Sequence, residues 1–220
     1  MILVCAPTRV EAAACRRGLA DARARGFEVL RTGVGPSRAA AALSARLRHG
    51  APPSLVVSSG FAGALTGGIP LHALVTAAGL HRLGPDGTVA VTLPPGALRL
   101  AAGALPCQVA TGDAVRLGGP SPLAPPAAVD MESAALAETA AAAGVQVEVL
   151  RVVTDTPGHP FPSFVRALGT ALSAGSASAR LAAAARAAAG AARRPVQAIA
   201  FARSSLAAAR ALRAAWRERG

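Results

Sequence analysis

Residues 147–155, VEVLRVVTD, decide the fold. The stretch is β-branched over most of its length, nearly continuous in apolar side chains, and closes on an aspartate. Such a run suits a strand covered on both faces. Three others share its character, MILVCA (1–6), SLVVSSG (54–60) and ALVTAAG (73–79), and the chain between them is rich in Ala, Leu and Arg. Helices are predicted at about 9–25, about 36–49, about 130–143 behind Asp130 as N-cap, and about 162–189. Strands alternating with helices give an α/β sheet with helices on both sides. Segment 81–126 carries PDG, LPPG and GGPSPLAPP, which predicts short strands, turns and a mobile loop able to close over a site. Residues 195–220 read as an amphipathic helical extension, with Trp216 near its end, packed on one domain spanning 1–220.

Composition narrows the function classes. At 220 residues the chain suits one well-buried core. Apolar residues reach 52% and aromatics only 3%, so that core must be aliphatic and close-packed. The net charge of +12 comes wholly from arginine, and with no lysine the chain offers neither a Schiff base nor a P-loop lysine. The arginines are dispersed with few aromatics among them, which argues against a nucleic-acid partner because stacking platforms are missing. Arg or an acidic residue interrupts every Ala-rich stretch, so no membrane span or membrane partner is expected. MILVCAPT lacks the features of a signal peptide, and a cytoplasmic location is the expectation. Cys5, Cys15 and Cys107 are odd in number and without metal-type spacing, and read as reduced structural thiols. No metal or cofactor is expected.

Eleven acidic residues are present, so their positions are informative. Asp155 ends an apolar strand, where strand ends of α/β sheets open onto a crevice. Asp130 and Glu132 follow a Pro-rich loop, and Asp113 follows TG. Glycine loops lie at TGVGPSRAAAAL (32–43) and SSGFAGAL (58–65). Such loops let backbone amides approach an anion or a sugar. A dinucleotide fingerprint is disfavoured, because Arg38 stands where its third glycine should be.

Taken in order, these segments resemble the nucleoside phosphorylase superfamily, most closely its methylthioadenosine/S-adenosylhomocysteine nucleosidase branch, from about residue 1 to 170. VDMESAALA (129–137) is similar to V-E-M-E-x-x-A, RVVTD (151–155) to R-x-x-S-D, and ATGDAV (110–115) to S-G-D-A-F. The two glycine loops resemble G-[IV]-G-x-x-x-A-A and G-x-A-G-x-L. The resemblance implies a three-layer α/β fold with a central mixed β-sheet flanked by helices, and cleavage of an N-glycosidic bond. It assigns Met131 to packing against the ribose, Glu132 to the sugar hydroxyls, and Asp155 to general acid at the purine N7. It sets Arg151 beside the attacking water, and Gly60, Phe61, Ala62, Gly63, Asp113, Val115 and Arg116 around the substrate. Glu11, in PTRVEA, is the carboxylate available as base, although an ungapped match puts Val10 in that place and one gap is needed.

The chemistry suits those residue types. A carboxylate on the ribose hydroxyls helps more as positive charge develops on the ring, and a general acid lets the base leave neutral. For Asp155 this requires a pKa raised by burial. Whether water or phosphate is the nucleophile stays open. Ser58 and Phe61 replace an arginine and a serine of the hexameric phosphorylases and favour water, while Arg9, Ser37 and Arg38 keep phosphate in view as an alternative second substrate. Phe61 also replaces a nucleosidase serine, and Val115 a phenylalanine that stacks on adenine, so the substrate's 5′ group and base are open. A catalytically inactive nucleoside-binding module is the reading from another class. The resemblance further implies a homodimer.

Overall fold

The computed structural model describes residues 1–20, 26–84, 87–91, 103–115, 121 and 123–219. Among them, eight strands form one mixed sheet. In chain order the elements are β1 (Ile2–Ala6), α1 (Arg9–Gly18), β2 (Phe27–Arg31), α2 (Pro36–Arg48), β3 (Leu55–Ala64), β4 (Leu74–Gly84), β5 (Gly87–Val91), β6 (Leu105–Thr111), β7 (Ala127–Asp130), α3 (Ser133–Ala141), β8 (Gln146–Asp155), α4 (Phe164–Ser173), α5 (Ala177–Ala192) and α6 (Pro195–Arg219).

β1 lies parallel to both β2 and β3, and β3 runs parallel to β8. Beyond that the sheet curls. β8 pairs antiparallel with β4, β4 parallel with β6, β6 parallel with β7, and β7 antiparallel with the far end of β3. The five strands β3, β8, β4, β6 and β7 therefore close on themselves, which hides their edges as a barrel does. β3 serves both parts, and its register with β8 shifts between Ala62 and Gly63. A bulge of this kind bends a strand and re-aims side chains.

Alternation along the strands produces the layers. In β1, Leu3 and Cys5 join one core with Leu43 of α2 and Leu136 of α3, while Val4 and Ala6 join another with Cys15 of α1 and Leu212 of α6. β8 divides likewise, Val147 and Val149 on the first side and Leu150 and Val152 on the second. Helices thus cover both faces. The three cysteines are free and buried.

Several boundaries differ from expectation. The first helix stops at Gly18, where a Cβ would meet Trp216 Cβ and Arg213 O at 2.6 Å each, so α6 crosses α1 in direct contact there. The span at 162–189 is two helices, broken at Gly175, with Ser176 capping α5 through an N–H from Ala179. Asp130 ends β7 rather than heading a helix, yet its Oδ1 accepts from the N–H groups of Glu132 and Ser133, at 3.2 and 3.1 Å, at the start of α3. No described helix is long and apolar enough to cross a membrane.

Candidate active site

A cavity of about 850 Å³ opens where β1, β2, β3, β7 and β8 end. Its floor includes Glu11, Phe61–Gly63, Met131, Glu132 and Asp155, and α4 lines the outer side through Val165, Leu168 and Leu172.

Glu11 is positioned by the local sequence. Thr8-x-x-Glu11 is a capping box: Glu11 N–H donates to Thr8 Oγ1 at 3.2 Å, and Thr8 N–H donates to Glu11 Oε2 at 3.0 Å. The Thr8 hydroxyl also donates to Oε2. The other oxygen, Oε1, accepts the Phe61 N–H at 2.8 Å. One carboxylate thereby joins the first turn of α1 to the bend of β3. Glycine at 60 permits it, because a Cβ there would lie 2.5 Å from Glu11 Oε1 and 2.7 Å from Arg151 Nη1. Burial pushes the Glu11 carboxyl above its usual range, opposed by the Thr8 bonds and by Arg151.

Arg151 lies beneath the floor, wholly buried in the middle of β8. Its guanidinium pairs with Asp130 at 3.0 Å and Glu132 at 3.5 Å, and donates to Ser58 Oγ at 2.8 Å and Ser133 Oγ at 3.0 Å. Asp130 is further held by Thr111 Oγ1 at 2.7 Å. A lone buried guanidinium is costly, and these partners offset its desolvation. Burial works to lower the Arg151 pKa, but Asp130, Glu132 and Glu11 outweigh it and hold the group cationic.

Glu132 stands at the N-cap of α3, and its Oε1 accepts the Gly35 N–H at 2.9 Å. Gly35 is itself the N-cap of α2, with φ +96°. The glycine loop therefore presents a helix amino terminus to this carboxylate, a favourable place for negative charge. Burial still raises the Glu132 pKa, with Asp130 adding to the rise against the pull of Arg151. One guanidinium thus faces Asp130, Glu132 and Glu11.

Asp155, the last residue of β8, faces Gly63 across the bulge, where a Cβ would lie 2.9 Å from both carboxylate oxygens. Burial pushes its pKa up to about 6, and Thr154 Oγ1, donating at 3.3 Å, holds it back.

Of the residues singled out from the sequence, Glu11, Phe61, Ala62, Gly63, Val115, Met131, Glu132 and Asp155 line the one cavity. Gly60 and Arg151 sit just beneath them. Arg151 does not reach solvent, because its place on β8 is covered by Asp130, Ser58 and Ser133. Asp113 is exposed and stands apart from the wall, in the bend after β6. Arg116 lies outside the described residues, as does part of the loop expected within 81–126.

Other contributors escaped the sequence reading. Asp130 stands out in the sequence as an acid after a Pro-rich loop and as a cap, but not as the partner of Arg151, and Thr8 carries an unused signal in its spacing to Glu11. Val165, Leu168 and Leu172 recur at helical spacing, which looks the same for a core face as for a cavity wall. Phe201 comes from α6, far along the chain.

No family model matches the chain. It is 38% identical to the futalosine hydrolase of Streptomyces coelicolor over 165 residues, covering 60% of this chain and 68% of that one. Among solved structures it is similar to a 5′-methylthioadenosine/S-adenosylhomocysteine nucleosidase from Helicobacter pylori with butyl-thio-DADMe-Immucillin-A (TM-score 0.60, 16% identity, 83% of this chain and 94% of that one). A futalosine hydrolase mutant of H. pylori matches with TM-score 0.55 and 16% identity, over 69% of this chain and 88% of that one. The S-adenosylhomocysteine nucleosidase of Streptococcus pyogenes in complex with 5-methylthiotubericidin matches with TM-score 0.56 and 17% identity, over 72% and 85%. The fold is thus nucleoside phosphorylase-like, and with the Streptomyces relative matched across most of its length, the chain belongs to the futalosine hydrolase family of the nucleoside phosphorylase and nucleosidase superfamily.

Proposed function

We propose that the protein is an N-ribosyl hydrolase that cleaves the N-glycosidic bond of a purine nucleoside modified at its 5′ position, with water as nucleophile. The observation that carries this reading is the convergence of Glu11, Glu132 and Asp155, from three remote segments, on one cavity. In it, Glu132 accepts the ribose hydroxyls and strengthens its hold as the ring gains oxocarbenium character. Asp155, with a pKa near 6, is partly protonated close to neutrality and delivers its proton to N7 as the bond to C1′ breaks. Glu11 takes a proton from water attacking C1′. Glu11 meets the chain at Phe61 and Asp155 meets it at Gly63, two positions apart on β3 and hence roughly 7 Å. That separation suits a sugar carbon flanked by water on one side and a base on the other.

Arg151, out of reach of solvent, acts by fixing Glu132 and by favouring charge on the carboxylates around it. The outer cavity combines Phe161, Val165, Leu168 and Leu172 with the exposed Arg9, Arg31 and Arg180. This lining fits a bulky 5′ group with an apolar body and an anionic end. Phosphorolysis is less well supported, because Arg38 donates to Leu172 O at 2.6 Å and Ser58 is taken up by Arg151. A cytoplasmic homodimer belongs to the same reading, supported by the exposed apolar Leu181, Val196, Ile199 and Leu206 on α5 and α6. The test is release of free base from a panel containing futalosine, 5′-methylthioadenosine, adenosine and inosine, with and without phosphate. Phosphate-independent release from a 5′-modified member is expected, and no release from any member would leave a nucleoside-binding module.

A further inference from the structure

Arg38 stands at the start of α2, three residues beyond the glycine that contacts Glu132. Its side chain runs along Gly33, where a Cβ would meet its Cδ at 3.2 Å, and reaches the carboxyl end of α4. There Nη1 donates to Leu172 O at 2.6 Å and Nη2 donates to Ala174 O. The last carbonyls of a helix lack partners within it, and a cationic donor also suits the negative end of its dipole. The two ends of this contact are more than 130 residues apart in the chain. α4 is joined to the body at a second point, where Gly169 lies so near the Val115 side chain that a Cβ would approach its Cγ2 to 2.4 Å. Val165 and Leu168 before Gly169, and Leu172 after it, line the cavity.

We propose that Arg38 is a positioning residue whose guanidinium tethers α4 as the outer wall of the cavity, and that this tether sets discrimination for the 5′ group of the nucleoside. The proposal rests on the hydrolase reading for its kinetic consequence, but the tether itself does not. The floor carboxylates lie on other elements, so loosening α4 changes how the outer part of a substrate is held and leaves the bond-breaking groups in place. The amino-terminal half of α4 is held by packing on α5 and by Phe164 against Phe201 of α6, so it is the carboxyl-terminal end that opens more often when the Arg38 contact is lost.

The test compares the full-length enzyme with Arg38→Met and Arg38→Lys. In Arg38→Met, backbone amides of α4 are expected to exchange with solvent about tenfold faster or more, as loss of two charge-assisted hydrogen bonds implies, while those of β3 and β8 hold their rates. KM for the 5′-modified nucleoside rises by about tenfold with kcat within about twofold. KM for the same nucleoside with a plain 5′ hydroxyl changes little, and Arg38→Lys recovers part of both effects. Unchanged exchange in α4 overturns the tether. An equal rise in KM for both nucleosides, or a fall in kcat, overturns its role in discrimination. If no nucleoside is cleaved the hydrolase reading fails, and the exchange measurement still decides the tether.

Discussion

In the proposed reaction, Asp155 concentrates the chemistry in one side chain. Its folded-state pKa of about 6 lies above the ordinary 3.8 because burial disfavours the anion. A general acid must hold its proton in the free enzyme, so kcat/KM is expected to fall as pH rises through about 6. Asp155→Asn should lose on the order of 10²–10⁴ in kcat/KM and lack this limb of the profile, as a pH-rate series would show. The same shift bears on stability with a definite sign. A raised acid binds its proton more tightly folded than unfolded, so its contribution is fully present below about 3.8 and is lost as pH climbs through about 6. Urea unfolding at pH 7.5 should therefore find Asp155→Asn more stable than the parent, by on the order of 1–3 kcal/mol, with the gap closing toward pH 4. Arg151 predicts the opposite. Arg151→Met removes the cation from Asp130 and Glu132, which stay buried, and should destabilise by about 3–5 kcal/mol in the same assay. Asp155 and Glu132 were legible in the sequence because a strand end and a loop exit are unusual places for acids. The partnership of Arg151 with Asp130 was not, since nothing local links residues on β8 and β7.

Elements differ in how openly their sequence declares them. β1, β3, β4 and β8 stand out because both faces are covered and their runs are continuously apolar. β2 is interrupted by Glu28 and Arg31 and lies at the sheet's edge, while β7 has only four residues, so neither offers a periodicity to detect. The span 162–189 looks like one helix in the sequence because Ala and Leu continue through it; Gly175 and the capping Ser176 divide it. α6 was legible as an amphipathic helix, but its anchor was not. Trp216 is fully buried, its indole N–H donates to Ser59 Oγ at 2.9 Å, and its ring meets Phe27 edge-on at 6.2 Å. Ser59 adjoins the Gly60–Phe61 bend that holds Glu11. Trp216→Ala should cost about 3–5 kcal/mol of stability, measured by circular dichroism because this is the chain's one tryptophan.

At the scale of the molecule, alternation of strands and helices indicated the layers correctly, but closure of β3, β8, β4, β6 and β7 into a ring depends on pairings remote in sequence. That closure brings β3, β7 and β8 to one mouth and with them the carboxylates. The net charge of +12 follows a different logic. Among the described residues it is spread largely over exposed arginines, while the floor of the cavity is acidic, so in the proposed reaction substrate recognition divides into an acidic floor for the sugar and a cationic rim for the 5′ group. The account as a whole requires that water attacks C1′ above that floor. Cleavage of a 5′-modified nucleoside in heavy-oxygen water, followed by mass analysis of the sugar, tests this most directly: incorporation of the label into the free sugar, with no need for phosphate, is the predicted result, and an unlabelled sugar phosphate formed only when phosphate is present would contradict it.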